Sequence, residues 1–302
     1  MIRPSFLQAG DRVGVLAMAS YVDYDSLKEG LRILREDWQL EVVEGKTLQK
    51  QYHQFAGTDA ERLQDLQQQL DDASLKAIFS ARGGYGSSKI IDGLHFRKFR
   101  KHPKLVVGFS DITAVHSHLH RLGFESLHAT MPKLFGREGS QKALETLKKA
   151  LWGEALFYEV PPHPFNRFGT GQGQVVGGNL CLLAHLIGSK SDIDTRHKLL
   201  FIEDVEEYYY NLDRMMVQLK RAGKLNHLAG LIVGQFTDLK DNTTTPFGKS
   251  HYEIIAEHIA AFSYPVCYDF PVGHVNDNWA MIVGREALLE VKSDSTTLNF
   301  AP

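Results

Sequence analysis

The sequence predicts an α/β fold in two parts, an N-terminal domain on a mostly parallel sheet and a C-terminal, strand-rich domain of mixed α/β character. Three observations predict it. In the first part short apolar runs alternate with segments of helical period, the pattern of successive βα units. The stretch 161–173 holds three prolines and three glycines in thirteen residues, breaks every periodicity and marks a connection between domains. Beyond it, apolar runs outnumber helical stripes. With 302 residues the chain is long enough to bury two cores, and the expected division is 1–158 for the first domain, 159–172 for the linker and 173–302 for the second.

Residues 13–17, Val-Gly-Val-Leu-Ala, are short, apolar and bounded by turn residues, as suits a buried first strand. Leu27, Leu31 and Leu34 fall at helical spacing within 25–36, and 40–43 supplies the second strand. A second helix runs over 58–70, with Leu63, Leu66 and Leu70 on one face and a capping box from Thr58 to Glu61. Residues 77–80 make the third strand. It runs into a glycine-rich turn, Ala81-Arg82-Gly83-Gly84-Tyr85-Gly86, ahead of a helix-like run through Ile90 and Leu94. Residues 104–107 form the fourth strand and 112–120 its helix. A further strand covers 124–128, and a helix over 140–151 places Leu144, Leu147 and Leu151 on one side. Alternation of this kind implies an open, Rossmann/flavodoxin-like sheet with helices on both faces. After the linker, residues 173–179 lead into a helix over 180–187, and 198–202 is a buried strand. Leu212, Met215, Met216 and Leu219 form a helical stripe that Gly223 ends. Runs at 231–233, 266–270, 280–283 and 287–290 complete the strands.

Composition narrows the function classes. Hydrophobic residues at 43% and charged ones at 23% are near the averages of soluble globular proteins, which argues against disorder and against a membrane protein. A formal net charge of -2 and a pI near 6.7 argue against a nucleic-acid binder, which would carry a basic excess. Cys181 and Cys267 lie in no C-x-x-C pair, so no disulfide framework is expected. Asp11 and Arg12 interrupt any apolar leader near the N-terminus, and the expected location is the cytosol.

Four stretches can carry chemistry. Gly108-Phe109-Ser110-Asp111 ends an apolar strand and opens a helix, the place where open α/β sheets bind ligands. Gly-x-Ser there is similar to a nucleophile elbow, although Ile112 stands where that pattern has its second glycine, and Ser110 or Asp111 would equally serve as a helix cap. The glycine-rich turn at 81–86 aims backbone N–H groups outward. It could cradle a phosphate, form part of an oxyanion hole or simply turn the chain, and it matches neither nucleotide-binding glycine pattern. Glu203 ends an apolar strand, where an acid is costly to bury without a partner, while Asp204, Glu206 and Glu207 also fit an acidic helix start. His274, one of fourteen histidines, follows Gly273 in a polar loop after another strand. His116 and His120 lie i, i+4 on one helix, but the general-base glutamate and further ligands of a zinc site are missing, so no metal or other cofactor is expected. Tyr208-Tyr209-Tyr210 suits either a pocket cover or ordinary packing.

Taken together, Ala81-Arg82-Gly83-Gly84-Tyr85-Gly86, Gly108-Phe109-Ser110-Asp111, Phe201-Ile202-Glu203-Asp204 and Gly273-His274, in this order across a proline-rich linker, resemble the LD-carboxypeptidase family of serine peptidases, the muramoyltetrapeptide carboxypeptidases. The resemblance implies a triad of Ser110 as nucleophile, Glu203 as acid and His274 as base. It also implies an oxyanion hole from the N–H groups of Gly84 and Asp111, with Gly83 beside them. It further implies a small muropeptide substrate, loss of a terminal D-alanine during cell-wall recycling, and a cytosolic homodimer without nucleic-acid or membrane partners. Arg82 is the nearest cation for the terminal carboxylate. His128-Ala129 departs from the family, which often carries a glycine after that histidine. Two other readings stay open: a relative of the microcin C self-immunity peptidases that cleaves acyl- or peptidyl-nucleotide conjugates, with Phe165 and Phe168 stacking on the base, and a non-catalytic protein that binds an anionic ligand in the interdomain cleft.

Overall fold

The structure is a computed structural model and describes residues 1–301. Five strands form first, β1 (Arg12–Leu16), β2 (Glu41–Glu44), β3 (Leu75–Ser80), β4 (Leu105–Gly108) and β5 (Ser126–His128). They pair in parallel in the order β2-β1-β3-β4-β5, the flavodoxin-like order, so the chain reverses its direction of travel between β1 and β3. Ligands of such sheets lie beyond the carboxyl ends of the strands at that reversal. The connecting helices are α1 (Lys28–Arg32), α2 (Asp59–Asp71), α3 (Ser87–Ile90), α4 (Thr113–Arg121) and α5 (Gln141–Trp152). The expected capping box of α2 is present: Glu61 N–H donates to the Thr58 hydroxyl, and Thr58 N–H donates to the Glu61 carboxylate at 2.8 Å.

The rest of the chain supplies β6 (Phe157–Val160), β7 (Gly169–Asn179), α6 (Leu180–Leu186), β8 (Leu199–Val205), α7 (Tyr209–Arg221), β9 (Gly230–Thr237), α8 (His251–His258), β10 (Val266–Cys267), β11 (Met281–Val283), β12 (Glu286–Val291) and β13 (Thr296–Phe300). The second sheet runs β10-β9-β8-β7-β12-β13-β6 and is mixed. Pairing is parallel from β10 to β7 and antiparallel from β7 to β6. No helix among the described residues is long and apolar enough to cross a membrane.

The sheets exchange strands. β6 joins the second sheet, and β11 returns to pair antiparallel with β5, Met281 opposite His128 and Val283 opposite Ser126. β5 would otherwise end the first sheet with unpaired N–H and C=O groups, and β11 covers that edge. The stretch expected as linker is only partly one, because β7 begins at Gly169. Its glycines serve close packing: a Cβ on Gly171 would stand 2.0 Å from the Ala229 carbonyl oxygen, and one on Gly173 2.5 Å from that of His197. One continuous apolar core runs between the sheets, from Val15, Phe79 and Val107 of the first to Phe201 and Ile232 of the second. The carboxyl ends of β3 and β4 lie side by side in the first sheet, and β8 of the second packs Phe201 on His128 at the end of β5.

Candidate active site

β4 ends at Gly108, where a Cβ would press to 3.0 Å on Ile112 and 3.2 Å on Ser80. The chain then passes through extended Phe109 and turns at Ser110, whose φ of +65° lies in the left-handed region that non-glycine residues rarely occupy. A single 3-10 turn (Ser110–Ile112) follows and α4 begins. This strained strand-to-helix turn is the geometry of a nucleophile elbow. Neither Ser110 nor Asp111 caps the turn or the helix by a side-chain hydrogen bond. The role open to Ile112 is packing, since it is fully buried.

His274 meets Ser110 from the loop that runs from β10 of the second sheet to β11 of the first. Its Nε2 is 3.0 Å from Ser110 Oγ, and its Nδ1 is 2.7 Å from Glu203 Oε2. The carboxylate fixes the tautomer: Nδ1–H donates to Glu203, which leaves Nε2 to accept the serine proton. Glu203 is fully buried within β8, near its carboxyl end, and His274 is partly exposed, so the acid is shielded while the imidazole is reachable. Burial by itself would lower the His274 pKa, but the Glu203 charge and hydrogen bond, with Asp204 and Glu206 nearby, hold it above the usual histidine range. Gly273 is required here. Its φ is +132°, and a Cβ would stand 2.9 Å from Glu203 Cβ and 3.0 Å from Oε2. The Phe109 ring and the His274 imidazole pack edge to face, with centroids 4.9 Å apart.

The glycine-rich turn follows β3 and lies beside the elbow. A Cβ on Gly83 would come within 2.9 Å of Ser110 Cβ and 3.0 Å of its Oγ. Gly84 has a φ of +109°. Asp111 joins the two turns: Ser87 N–H donates to its carboxylate at 2.8 Å, and the Ser87 hydroxyl donates to its carbonyl at 2.6 Å. Burial raises the Asp111 carboxyl pKa against the hydrogen bonds from Ser87 and Gly86.

Ser110, His274, Gly83 and Gly84 line a cleft of about 430 Å³. Arg82 is in its wall, one guanidinium nitrogen donating to the Tyr21 carbonyl at 2.9 Å. Lys133 and Arg137 also face it, with Glu206 the one carboxylate there. Burial, then the charges of Arg82 and Arg137, hold the Lys133 ammonium below its usual pKa. Sequence reading missed Lys133 and Arg137. The signal for Lys133 is its place just past the end of β5, the same strand-end rule that pointed to Ser110.

Other expectations resolve differently. His116 is fully buried and spent on structure, its two ring nitrogens 2.9 Å from the Ser126 hydroxyl and 2.7 Å from the Gly108 carbonyl. Burial takes its pKa down to about 4, so it stays neutral and ties α4 to the strand that ends in the elbow. No group of three or more His, Cys, Asp or Glu among the described residues is placed to hold a metal ion. His128 sits behind the elbow between the Phe109 and Phe201 rings and does not line the cleft. Phe165 stacks on His163 and Tyr252, and neither it nor Phe168 reaches the cleft; nor do Tyr208 and Tyr210, which are half-exposed.

Fold and site define a two-sheet α/β chain in which a serine, an imidazole and a carboxylate stand in hydrogen-bonded series at strand ends. The N-terminal domain of LD-carboxypeptidases matches residues 13–129 and their C-terminal domain residues 172–289. A probable murein peptide carboxypeptidase of Bacillus subtilis is 35% identical over 98% of this chain and 94% of its own length. The crystal structure of muramoyltetrapeptide carboxypeptidase from Oxalobacter formigenes superposes with a TM-score of 0.86 at 27% identity, over 96% of this chain and 99% of that one. A microcin C7 self-immunity protein in complex with aspartyl sulfamoyl adenosine shares the fold, with a TM-score of 0.88 at 20% identity over 99% of this chain and 98% of its own. The chain belongs to the LD-carboxypeptidase family.

Proposed function

We propose that this protein is a serine carboxypeptidase that hydrolyses the L,D-peptide bond releasing terminal D-alanine from murein tetrapeptides. The observation that carries the reading is the series Glu203, His274, Ser110 opening into a cleft walled by three cations that form no ion pair among the described residues. Ser110 Oγ attacks the carbonyl carbon of the scissile bond as His274 Nε2 takes its proton, and Glu203 holds and stabilises the imidazolium. The N–H groups of Gly84 and Asp111 receive the oxyanion, each such donor being worth about 3 kcal/mol of barrier. His274 then returns the proton to the amine of D-alanine, which departs, and water delivered through the same imidazole frees Ser110.

Arg82, Lys133 and Arg137 receive the terminal carboxylate, which makes the activity that of a carboxypeptidase and disfavours internal bonds. The names of the relatives support a murein peptide as substrate. The family resemblance supports a cytosolic homodimer. The likeness to the microcin C7 self-immunity protein supports a second reading, hydrolysis of a peptidyl-nucleotide conjugate, but no aromatic residue of the linker lines the cleft to hold a base. A comparison of kcat/KM on murein tetrapeptide and on an aspartyl-nucleotide conjugate separates them. The tetrapeptide is expected to lead by at least about 100-fold; the reverse ranking would hand the site to the second reading.

A further inference from the structure

Ser110 follows a strand of the first sheet, Glu203 belongs to the second, and His274 lies in the loop between them. Ser110 stands between β4 and α4, and Glu203 lies in β8, two residues before its end. A catalytic contact across that boundary holds only if the supporting groups are themselves fixed. A buried chain of hydrogen bonds crosses it, and no step of the proposed mechanism uses that chain. Thr113, three residues after Ser110 and the first residue of α4, accepts from the backbone N–H of Asn179 at 3.0 Å. The side-chain amide of Asn179 donates to Asp204 at 2.7 Å. Asp204 is the immediate neighbour of Glu203, and its second oxygen accepts from Cys181 N–H at 3.0 Å, while Asn179 Oδ1 caps α6 through Leu182 N–H at 3.1 Å. Thr113, Asn179 and Asp204 are 0%, 4% and 2% exposed, so these bonds face no competition from water.

The backbone is shaped for the contact. Gly178 has a φ of +142°, and a Cβ there would stand 2.5 Å from Thr113 Oγ1. The β8 ladder against β9 shifts register between Ile202 and Asp204, and in this irregular stretch Glu203 meets His274 while its neighbour Asp204 meets Asn179. The arrangement is costly for Asp204, whose carboxyl pKa is pushed up to about 7 by burial and by the adjacent Glu203 charge. Ordinary packing between the sheets would need no carboxyl group at that position.

We propose that Thr113, Asn179 and Asp204 are positioning residues that lock the helix carrying the nucleophile to the strand carrying the acid, and so set the distance from Ser110 to His274. The inference rests on Ser110 being the nucleophile. Thr113→Val keeps the shape and removes the acceptor; Thr113→Ser keeps the hydroxyl. We expect Thr113→Val to lower kcat about tenfold with KM within about twofold, and to slow labelling of Ser110 by a fluorophosphonate by a similar factor. Thr113→Ser is expected to restore both, with unchanged circular dichroism in all three proteins. Wild-type kcat and labelling in Thr113→Val would overturn the proposal, as would a loss that Thr113→Ser fails to restore. If wild type labels at Ser110 yet cleaves no tetrapeptide, the substrate reading fails and the labelling rates alone decide the positioning role. If Ser110 of wild type does not label, the nucleophile reading and this inference fall together.

Discussion

In the proposed reaction the protonation of one imidazole decides whether Ser110 can be activated. His274 must be neutral to accept the Ser110 proton, and the buried Glu203 carboxylate holds its pKa above the ordinary histidine value of about 6.5. Because the working form is the deprotonated one, kcat/KM rises with pH as His274 loses its proton, and the acid limb should lie above that value. Glu203→Gln removes the charge and leaves the burial. The limb should then move to lower pH, and the plateau rate should fall by roughly 10²–10⁴. Full pH–rate profiles of both proteins check this, and a limb that stays in place would contradict the assignment. Much of this was legible in the sequence, since Ser110, Glu203 and His274 each follow an apolar run that reads as a strand. Whether Ser110 was a cap or a nucleophile was not legible, because the choice lies in its φ of +65° and in a partner 164 residues away.

Among the elements, the glycine-rich turn depends on α2. Arg62 of that helix is fully buried; one guanidinium nitrogen donates to the carbonyls of Met18 and Gly86 at 3.0 and 2.9 Å, and another pairs with Asp59. It thus staples the turn after β3 to the end of β1. Arg62→Met keeps most of the packing and strands two buried carbonyls. It should cost about 3 kcal/mol of stability, read as a lower urea midpoint, with a fall in kcat as the turn loosens. A variant as stable as wild type would show the turn to be held by other means. The helix itself was readable from its leucine stripe and capping box. Arg62 was not, because an arginine in a charged helix reads as a solvated residue until β1 and the turn close over it. Lys133 and Arg137 escaped because they reach the cleft through the packing of the turn after β5; the strand end points only to the neighbourhood of Lys133, and no local spacing encodes Arg137.

For the molecule as a whole, the sheets act as one body because they share a core and exchange β6 and β11. Arg285, between β11 and β12, makes a buried bidentate pair with Glu125 ahead of β5, at 2.7–3.0 Å, and Arg3 approaches the same carboxylate at 3.7 Å. Arg285→Met leaves the acid buried with its main partner gone and should lower stability by about 3–5 kcal/mol, whereas Arg285→Met with Glu125→Leu should lose clearly less. Urea unfolding of both variants tests this, and equal losses would mean that the pair is not what ties the β11–β12 turn to the start of β5. Alternation of strands and helices made the first sheet readable, including its parallel character. The exchange was not readable: β6 and β13 alternate exposed and buried residues as edge-region strands do, and a three-residue strand such as β11 carries nothing to say which sheet it will join.

Mass spectrometry of free murein tetrapeptide incubated with wild type and with Ser110→Ala, in the presence of a chelator, tests the nucleophile and the substrate together. Wild type is expected to release one D-alanine residue, and Ser110→Ala to do so at a rate lower by roughly 10⁴-fold or more. Equal turnover by the two proteins would remove Ser110 as nucleophile. No turnover by wild type would remove the murein tetrapeptide as substrate and leave a nucleotide conjugate, or an anionic ligand held without chemistry, as what the cleft receives.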